Sequence, residues 1–568
     1  MEEERENAAG EQAEEITQTA ETPTEKQRKA EEKARRKNEK KAAKAARKLE
    51  KEQARRERTA RKQAEKTART PHLREKALFE LWVGGFEKEH QALLREYFDG
   101  LNAHLSLARD EVIQFRRDFT AAIDLLLQLG CPLEEALTRL NPERLGGFYA
   151  WPATLWFRLD DAAKIYPLSM KHGQMSVFRL AAVLKEPVKP ELLQIALHFT
   201  IQRFPGFATT VRKGFFWHYL DQTKRRYCIQ PETDIPVRPL KIAVSGSQSF
   251  RVLYYENRIS AEFFHILTDA TGGMCFLKTL LAEYLRLLGT DCPCGDGILD
   301  VTRPPLAGEN ENAFPAADRR GKGSGLTDRA ALQLSGRLAP VHPCRILHFE
   351  MDAEKLREAA RSRNATVTAY LLGLLFLAGR RATEAMGGSF NIQVPVNMRK
   401  FYPSPTLRNF SMYCGIRLDM EQVTTLDDIL PEIQHQLTEK ASREAMTEMI
   451  HSSTRLVNSV RFVPLFIKAP IARVIYGFLG DKIFTNTLSN LGVVNLPPEM
   501  QSRVDHLEFL LGTLVTNRAG CALVTCGGKA VLTIAKQTAD PSLEEALCRL
   551  LDGDQVPYAV KGSVLYEG

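Results

Sequence analysis

Two of the twelve histidines stand four residues ahead of an aspartate: His265 with Asp269, and His348 with Asp352. An unperturbed imidazole, with a pKa of ~6.5, is mostly neutral at pH 7 and can take up a proton there, which makes either pair worth weighing. Composition alone would supply about half of one such match, so spacing does not separate them. Their surroundings do. Asp352 opens the segment Asp352-Ala353-Glu354-Lys355, with no glycine after it, and reads as a helix N-cap. His265 ends an apolar strand, and the turn Ile266–Gly273 leads through Gly272 and Gly273 into a helix. Such a junction can aim a ring out of a sheet into a cleft, with the glycines keeping backbone clear of a ligand. Asp269 reads as fixing local geometry, and in apolar surroundings it needs a cationic partner. Taken alone, the segment favours a hydrogen-bonded turn histidine.

The elements that must hold this junction are mixed α/β. Phe250–Tyr255, a turn at Glu256-Asn257, and Arg258–His265 predict a hairpin. Met274–Leu288 predicts a helix with Phe276, Leu277, Leu280, Leu281, Tyr284 and Leu288 on one face. Trp156–Leu159 and Val177–Leu180 are strand-like, and Pro190–Arg203 is an amphipathic helix. Gly289 to about Pro340 is rich in Gly, Pro, Asn and Asp and reads as a linker. Beyond it come a strand at Cys344–Met351, helices at Ala353–Ser362 and Val367–Arg381, and a strand at Asn391–Val396. A helix at Leu426–Glu444, short extended pieces at Thr487–Asn490 and Val493–Asn495, strands at Cys521–Cys526 and Ala530–Ala535, and a last helix from Ser542 complete the order. The order after the linker echoes the order before it, as two similar lobes would.

Ahead of the lobes, residues 71–150 carry apolar side chains at helical spacing, such as Leu78, Leu81, Trp82 and Phe86, and predict a small helical bundle. Residues 1–70 form a charged tail rich in Ala, Glu, Lys and Arg, with Ile16 and Leu49 its only large aliphatics beyond Met1. High helix propensity without apolar a and d positions predicts a solvated helix or a disordered arm that forms no coiled coil unaided. The chain has 568 residues and a formal net charge of +8. Met1–Glu25 carries −8 and Lys26–Thr70 carries +13, which leaves the other 498 residues near neutral at +3. The basic balance is therefore a property of the tail and says nothing of the lobes' partners; segment 26–70 reads as a solubilising arm, with a nucleic-acid or anionic-lipid partner as the alternative. No aromatic residues interleave with those charges, as base stacking would require.

Other chemistries find less support. The longest mostly apolar stretch, Val367–Gly379, is shorter than the ~20 residues of a bilayer span, and Met1-Glu2-Glu3-Glu4-Arg5 is the opposite of a secretory n-region. The ten cysteines show neither a disulfide framework nor paired zinc spacing, so a cytoplasmic protein with reduced thiols and no metal is expected. Cys275 opens an apolar helix and reads as a core thiol. Gly321-Lys322-Gly323-Ser324-Gly325 lacks Walker spacing and reads as flexible linker.

Several ordered segments between Trp151 and Gly568 resemble the condensation-domain and chloramphenicol-acetyltransferase-like superfamily of CoA-dependent acyltransferases, nearest to its bacterial alcohol O-acetyltransferase-like branch. Asp161–Leu168 looks like the opening strand, and Arg203-Phe204-Pro205-Gly206-Phe207 like the exit of the first helix. His265–Gly273 is similar to the family's His-x-x-x-Asp-Gly signature. Pro395–Arg399 resembles the strand motif of the second lobe, and Ser489-Asn490-Leu491-Gly492 the late Ser-Asn-Leu-Gly element. Phe264 stands where members often have a second histidine, and Ala270 where they have glycine. An Asp-Phe-Gly-Trp-Gly element is absent, which argues against a peptide-synthetase condensation module.

The resemblance implies an α/β protein of two chloramphenicol-acetyltransferase-like sandwich lobes in pseudo-two-fold arrangement, at 151–290 and 341–568, joined by the linker 291–340. It implies acyl transfer without a covalent enzyme intermediate, His265 acting as general base and Asp269 completing the catalytic pair in a structural role. Arg399 is a candidate partner for Asp269. Gly272, Gly273, Asn397, Arg399, Ser489 and Asn490 are the expected substrate-side residues, with Ser489 and Asn490 as candidate oxyanion donors. The cosubstrate would be acyl-CoA, with no bound cofactor, and the acceptor a hydroxyl-bearing small molecule or lipid. A carrier-protein donor, or a catalytically silent scaffold on the same fold, are the alternatives.

Overall fold

The computed structural model describes residues 71–568 apart from 151–155, 165, 170–174, 224, 241–247, 318–327, 480–482, 513–516 and 567–568, together with 51–52, 55 and 59. Most of the charged arm, including residues 26–50, and the glycine run 321–325 thus lie outside the described residues. The chain divides into two compact units, Met1–Gln91 and Ala92–Gly568. In the first, the helix Pro71–Gly84 is followed by a turn in which the rings of Trp82 and Phe86 meet at 5.2 Å.

Among the described residues, the strands all lie in the second unit. Its first half supplies β1 (Trp156–Arg158), β2 (Val177–Leu184), β3 (Thr209–Lys213), β4 (His218–Gln222), β5 (Ile229–Pro231), β6 (Phe250–Tyr255) and β7 (Arg258–Phe264). After the predicted linker come β8 (Arg345–Asp352), β9 (Ser389–Asn397), β10 (Ser411–Asp419), β11 (Asn486–Val493), β12 (Val504–Leu511), β13 (Ala519–Cys526), β14 (Lys529–Lys536) and β15 (Tyr558–Gly562). They form a five-stranded sheet in the order β12-β2-β7-β6-β5, a seven-stranded sheet in the order β10-β9-β11-β13-β14-β8-β15, and a small sheet β1-β4-β3. Each large sheet closes on a hairpin followed by a helix: β6–β7 then Ala270–Leu287, and β13–β14 then Ser542–Gly553. That is the echo the sequence carries, and it makes a mixed α/β, two-lobed body.

The lobes are not separable at the linker. β12 belongs to the C-terminal half of the chain, yet it pairs antiparallel with β2 of the first sheet, from Val504 opposite Leu184 to Leu511 opposite Phe178. The predicted boundary at 341 therefore leaves a strand of the first sheet on its far side. Sequence cannot show this, because nothing in the pattern of Val504–Leu511, a strand buried along most of its length, names the sheet it joins. The predicted linker is also partly structured. Buried Glu309 takes a bidentate pair from Arg203, one bond at 2.7 Å, and Phe314 and Ala317 are buried in the second lobe's core. Asp161–Leu168, read as an opening strand, instead forms a turn and the short helix Tyr166–Ser169; the strand before it is β1.

Helix Pro190–Ile201 and helix Ala270–Leu287 lie together on the five-stranded sheet, where Phe204, Phe207, Phe250, Phe263 and Phe276 interlock. Helix Arg109–Gln128 is bolted to the same lobe through Asp118. Its carboxylate accepts two bonds of 2.6 Å from Arg226 and one of 2.9 Å from buried His198. The hydrogen bonds from His198 and Arg226 hold the Asp118 carboxyl below the usual carboxylate range against the opposing effect of burial. In the second lobe, helix Val367–Arg381 is buried nearly all round, as its apolar sequence requires. No helix among the described residues is long and apolar enough to cross a membrane. None of their His, Cys, Asp and Glu side chains cluster as a metal site would need.

Candidate active site

His265 is the first residue beyond β7. Its backbone N–H still donates to Ser176 O at 2.8 Å, which anchors the ring at the sheet's end. A loop from the other lobe then meets it. β9 and β10 pair from Asn397 opposite Ser411, so residues 398–410 rise from that sheet's edge. They deliver Asn409 to the imidazole, and two bonds join the residues: His265 Nδ1 with Asn409 Oδ1 at 2.8 Å, and Asn409 Nδ2 to the His265 carbonyl at 2.7 Å.

This second bond decides the tautomer. A carbonyl can only accept, so the nitrogen end of the amide must face it, and the oxygen end must face the ring. Nδ1 therefore carries the proton, and Nε2 keeps its lone pair. The ring is sandwiched by Tyr166, stacked at 4.9 Å, and Phe178, edge-on at 5.1 Å, yet part of its surface stays exposed. Burial pushes the His265 pKa below the ordinary 6.5, against smaller opposing pulls from its own backbone carbonyl, Asp269 and Asn409.

Asp269 does not reach the ring by any hydrogen bond; it holds the junction together. As N-cap of helix Ala270–Leu287 it accepts from Gly272 N at 3.1 Å. Its other oxygen accepts from Phe410 N at 2.8 Å and from Arg399 at 2.7 Å. The cationic partner that the sequence required is therefore Arg399. The five N–H groups of that guanidinium go to Asp269, Asn397 Oδ1, Arg408 O and, twice, Thr406 O. All five are spent on protein acceptors, so Arg399 positions the loop. Asn397 likewise binds protein, accepting from Arg399 N and donating to Thr271 Oγ1 at 3.2 Å.

The glycines also have a different reason from the one read in the sequence. A Cβ on Gly272 would meet the Leu407 carbonyl at 2.1 Å and Thr268 Oγ1 at 2.3 Å. On Gly273 it would press on the rings of Phe178 and Phe263 and on Leu180. Gly272 lets the second lobe's loop close onto the helix start, and Gly273 lets the helix lie against the sheet. Ser489 sits within β11, opposite Ala522 of β13. Asn490 donates to Thr368 Oγ1 at 2.9 Å and accepts from Gly492 N at 2.8 Å. Among the described residues no hydrogen bond joins either of them to the His265 seam. Beside the seam a narrow, largely apolar pocket is lined by Phe157, Phe204, Phe207, Leu267, Leu407 and Arg408.

Asn409, Tyr166 and Phe178 are the residues that sequence reasoning missed at this site. Asn409 lies 144 residues from His265, and no local pattern ties the two. Arg408 beside it faces buried Asp160 at 3.5 Å, whose carboxyl burial pushes up to about 6.

No family model matches the chain, and no curated protein matches its sequence. Solved structures do resemble it. One is a trichothecene 15-O-acetyltransferase from Fusarium sporotrichioides: 12% identity, 70% of this chain and 94% of that one, TM-score 0.47. Another is the F. sporotrichioides protein TRI101 complexed with coenzyme A and T-2: 10% identity, 71% and all of that chain, TM-score 0.49. A third is the first condensation domain of the CDA synthetase: 13% identity, 72% and all of that chain, TM-score 0.48.

Proposed function

We propose that this chain is an acyltransferase that moves an acyl group, acetyl in the simplest case, from acyl-CoA to a hydroxyl acceptor, with His265 as general base. The observation that carries the reading is the Asn409 amide clamp, which leaves the Nε2 lone pair of a partly exposed, neutral imidazole free to accept a proton. The sequence resemblance points the same way. In the reaction, Nε2 takes the acceptor's O–H proton as the oxygen attacks the thioester carbonyl. The tetrahedral intermediate then collapses, the C–S bond breaks, and the imidazolium returns its proton to the departing thiolate. A positioned base of this kind supplies ~10²–10⁴-fold. Asp269 and Arg399 hold the two lobes' contributions in register, so that base and acceptor meet in one geometry.

The test is acceptor-dependent release of CoA thiol from acetyl-CoA by the full chain over a panel of alcohols and hydroxylated lipids, with the acetylated product identified by mass. Thiol release that rises with one acceptor and yields its ester supports the proposal. Binding of acetyl-CoA without release for any acceptor would favour the catalytically silent scaffold.

A further inference from the structure

Two stretches far apart in sequence bring their aromatic side chains to one place on the surface. The first is the tip of the β3–β4 hairpin, Gly214-Phe215-Phe216-Trp217. The second is the turn between helices Arg443–Ser459 and Leu465–Leu479. Phe215 O accepts from Leu465 N at 2.8 Å, and the rings of Phe216 and Phe462 meet edge-on at 6.2 Å. Although locked together, these groups face outward: Phe215 is 66% exposed, Phe462 and Phe466 are each 71% exposed, and Ile467 and Ile471, one turn apart on their helix, stay open beside them. Large exposed apolar side chains gathered this way mark a surface that another phase or molecule covers.

The charge around them says which. Between Ile450 and Gly480 there is no acidic residue but four basic ones; in the hairpin Thr209–Gln222, Asp221 pairs with Arg212 at 3.4 Å and leaves Lys213 beside the tip. Arg455, Arg461 and Lys213 are exposed, and the Arg461 guanidinium lies 4.5 Å over the Phe462 ring. Lys468 is held below, 3.2 Å over the Trp217 ring. Aromatic and aliphatic tips rimmed by cations suit the boundary of a bilayer bearing anionic headgroups. The patch also borders the candidate site, since helix Leu465–Leu479 packs on the short helix Tyr166–Ser169, whose Tyr166 stacks on His265.

We infer that this aromatic, basic face seats the protein on an anionic lipid surface. Resting on the acyl-transfer reading above, it follows that the acceptor hydroxyl belongs to a lipid or a membrane-dissolved molecule that reaches His265 along the Tyr166 helix.

The experiment is sedimentation of the full chain with vesicles of phosphatidylcholine, alone or mixed with phosphatidylglycerol, at low and at high salt. The basic segment 26–70 would bind anionic vesicles by charge alone, and high salt removes such binding. The inference expects binding to mixed vesicles that survives in part at high salt. It expects the variant Phe215→Ser/Phe462→Ser/Phe466→Ser to lose about tenfold or more in partitioning. The matching tryptophan variant, Phe215→Trp/Phe462→Trp/Phe466→Trp, should bind as wild type does. Equal binding by the wild-type and serine chains would overturn the inference. So would no binding by either, or self-association that the serine variant abolishes without any vesicle binding. Sedimentation requires no turnover, so a failure here and a failure of acyl transfer are told apart.

Discussion

The two histidine–aspartate pairs of this chain share a spacing and both lead from a strand into a helix, yet they do opposite things. Asp352 caps helix Ala353–Ser362 at the surface through the Lys355 N–H, and His348 lies within β8, its Nδ1 bound to Thr533 Oγ1 at 3.0 Å. Asp269 also caps a helix, but it is buried and paired with an arginine of the other lobe, while His265 stands one residue past its strand with Asn409 fixing its tautomer. A mid-strand histidine points to whatever its sheet face packs on; one at the strand's end can be met by a loop from elsewhere. Position relative to the strand end, and not the four-residue spacing, separates a structural imidazole from one able to work.

Breaking each junction should expose that contrast. The largest effect is expected from Asp269→Ala, which takes the anionic partner from the half-buried Arg399 guanidinium and removes acceptors from Gly272 N and Phe410 N. Unfolding in urea should report a loss of ~3–5 kcal/mol, as for other broken buried pairs. Its counterpart Asp352→Ala removes one exposed cap and should lose only about 1 kcal/mol by the same measurement.

Asn409→Ala should lower kcat by about one to two orders of magnitude, because the ring loses what orients it, and should cost about 1–3 kcal/mol of stability in urea unfolding, because the His265 carbonyl and ring lose a buried partner. Asn409→Asp sharpens the point. A carboxylate facing Nδ1–H favours the imidazolium, so the acid limb of the rate profile should move to higher pH. In the wild type, the folded His265 pKa lies below its unfolded value of ~6.5, so the base stays neutral as pH falls through 6.5. The kcat/KM profile should therefore hold its plateau at pH 6.5 and decline only below it, and the stability that depends on this neutral ring should fade over the same acidic range. The smallest effect is expected at His348→Ala, whose acyl-transfer rate should stay within about twofold of wild type because the ring lies outside the site.

What the sequence made legible follows the same line. The β6–β7 hairpin, the helix after it and the apolar helix Val367–Arg381 announce themselves through local periodicity, because each is determined by which of its own residues face the core. The need of Asp269 for a cation was also readable, since an unpaired buried carboxylate is too costly. Asn409 was not, nor was the passage of β12 into the first sheet. Both are long-range pairings in which neither partner's local pattern records the other. The glycines at 272 and 273 read in the sequence as clearing backbone for a ligand; that a carbonyl of the other lobe and a cluster of rings lie against them needed the fold.

The proton-accepting role of His265 is tested most directly by acceptor-dependent thiol release from acetyl-CoA, with His265→Ala set against the wild-type chain at equal folded concentration. The account expects kcat to fall by ~10²–10⁴-fold with the thermal midpoint nearly unchanged. A His265→Ala chain that turns over at the wild-type rate would contradict it.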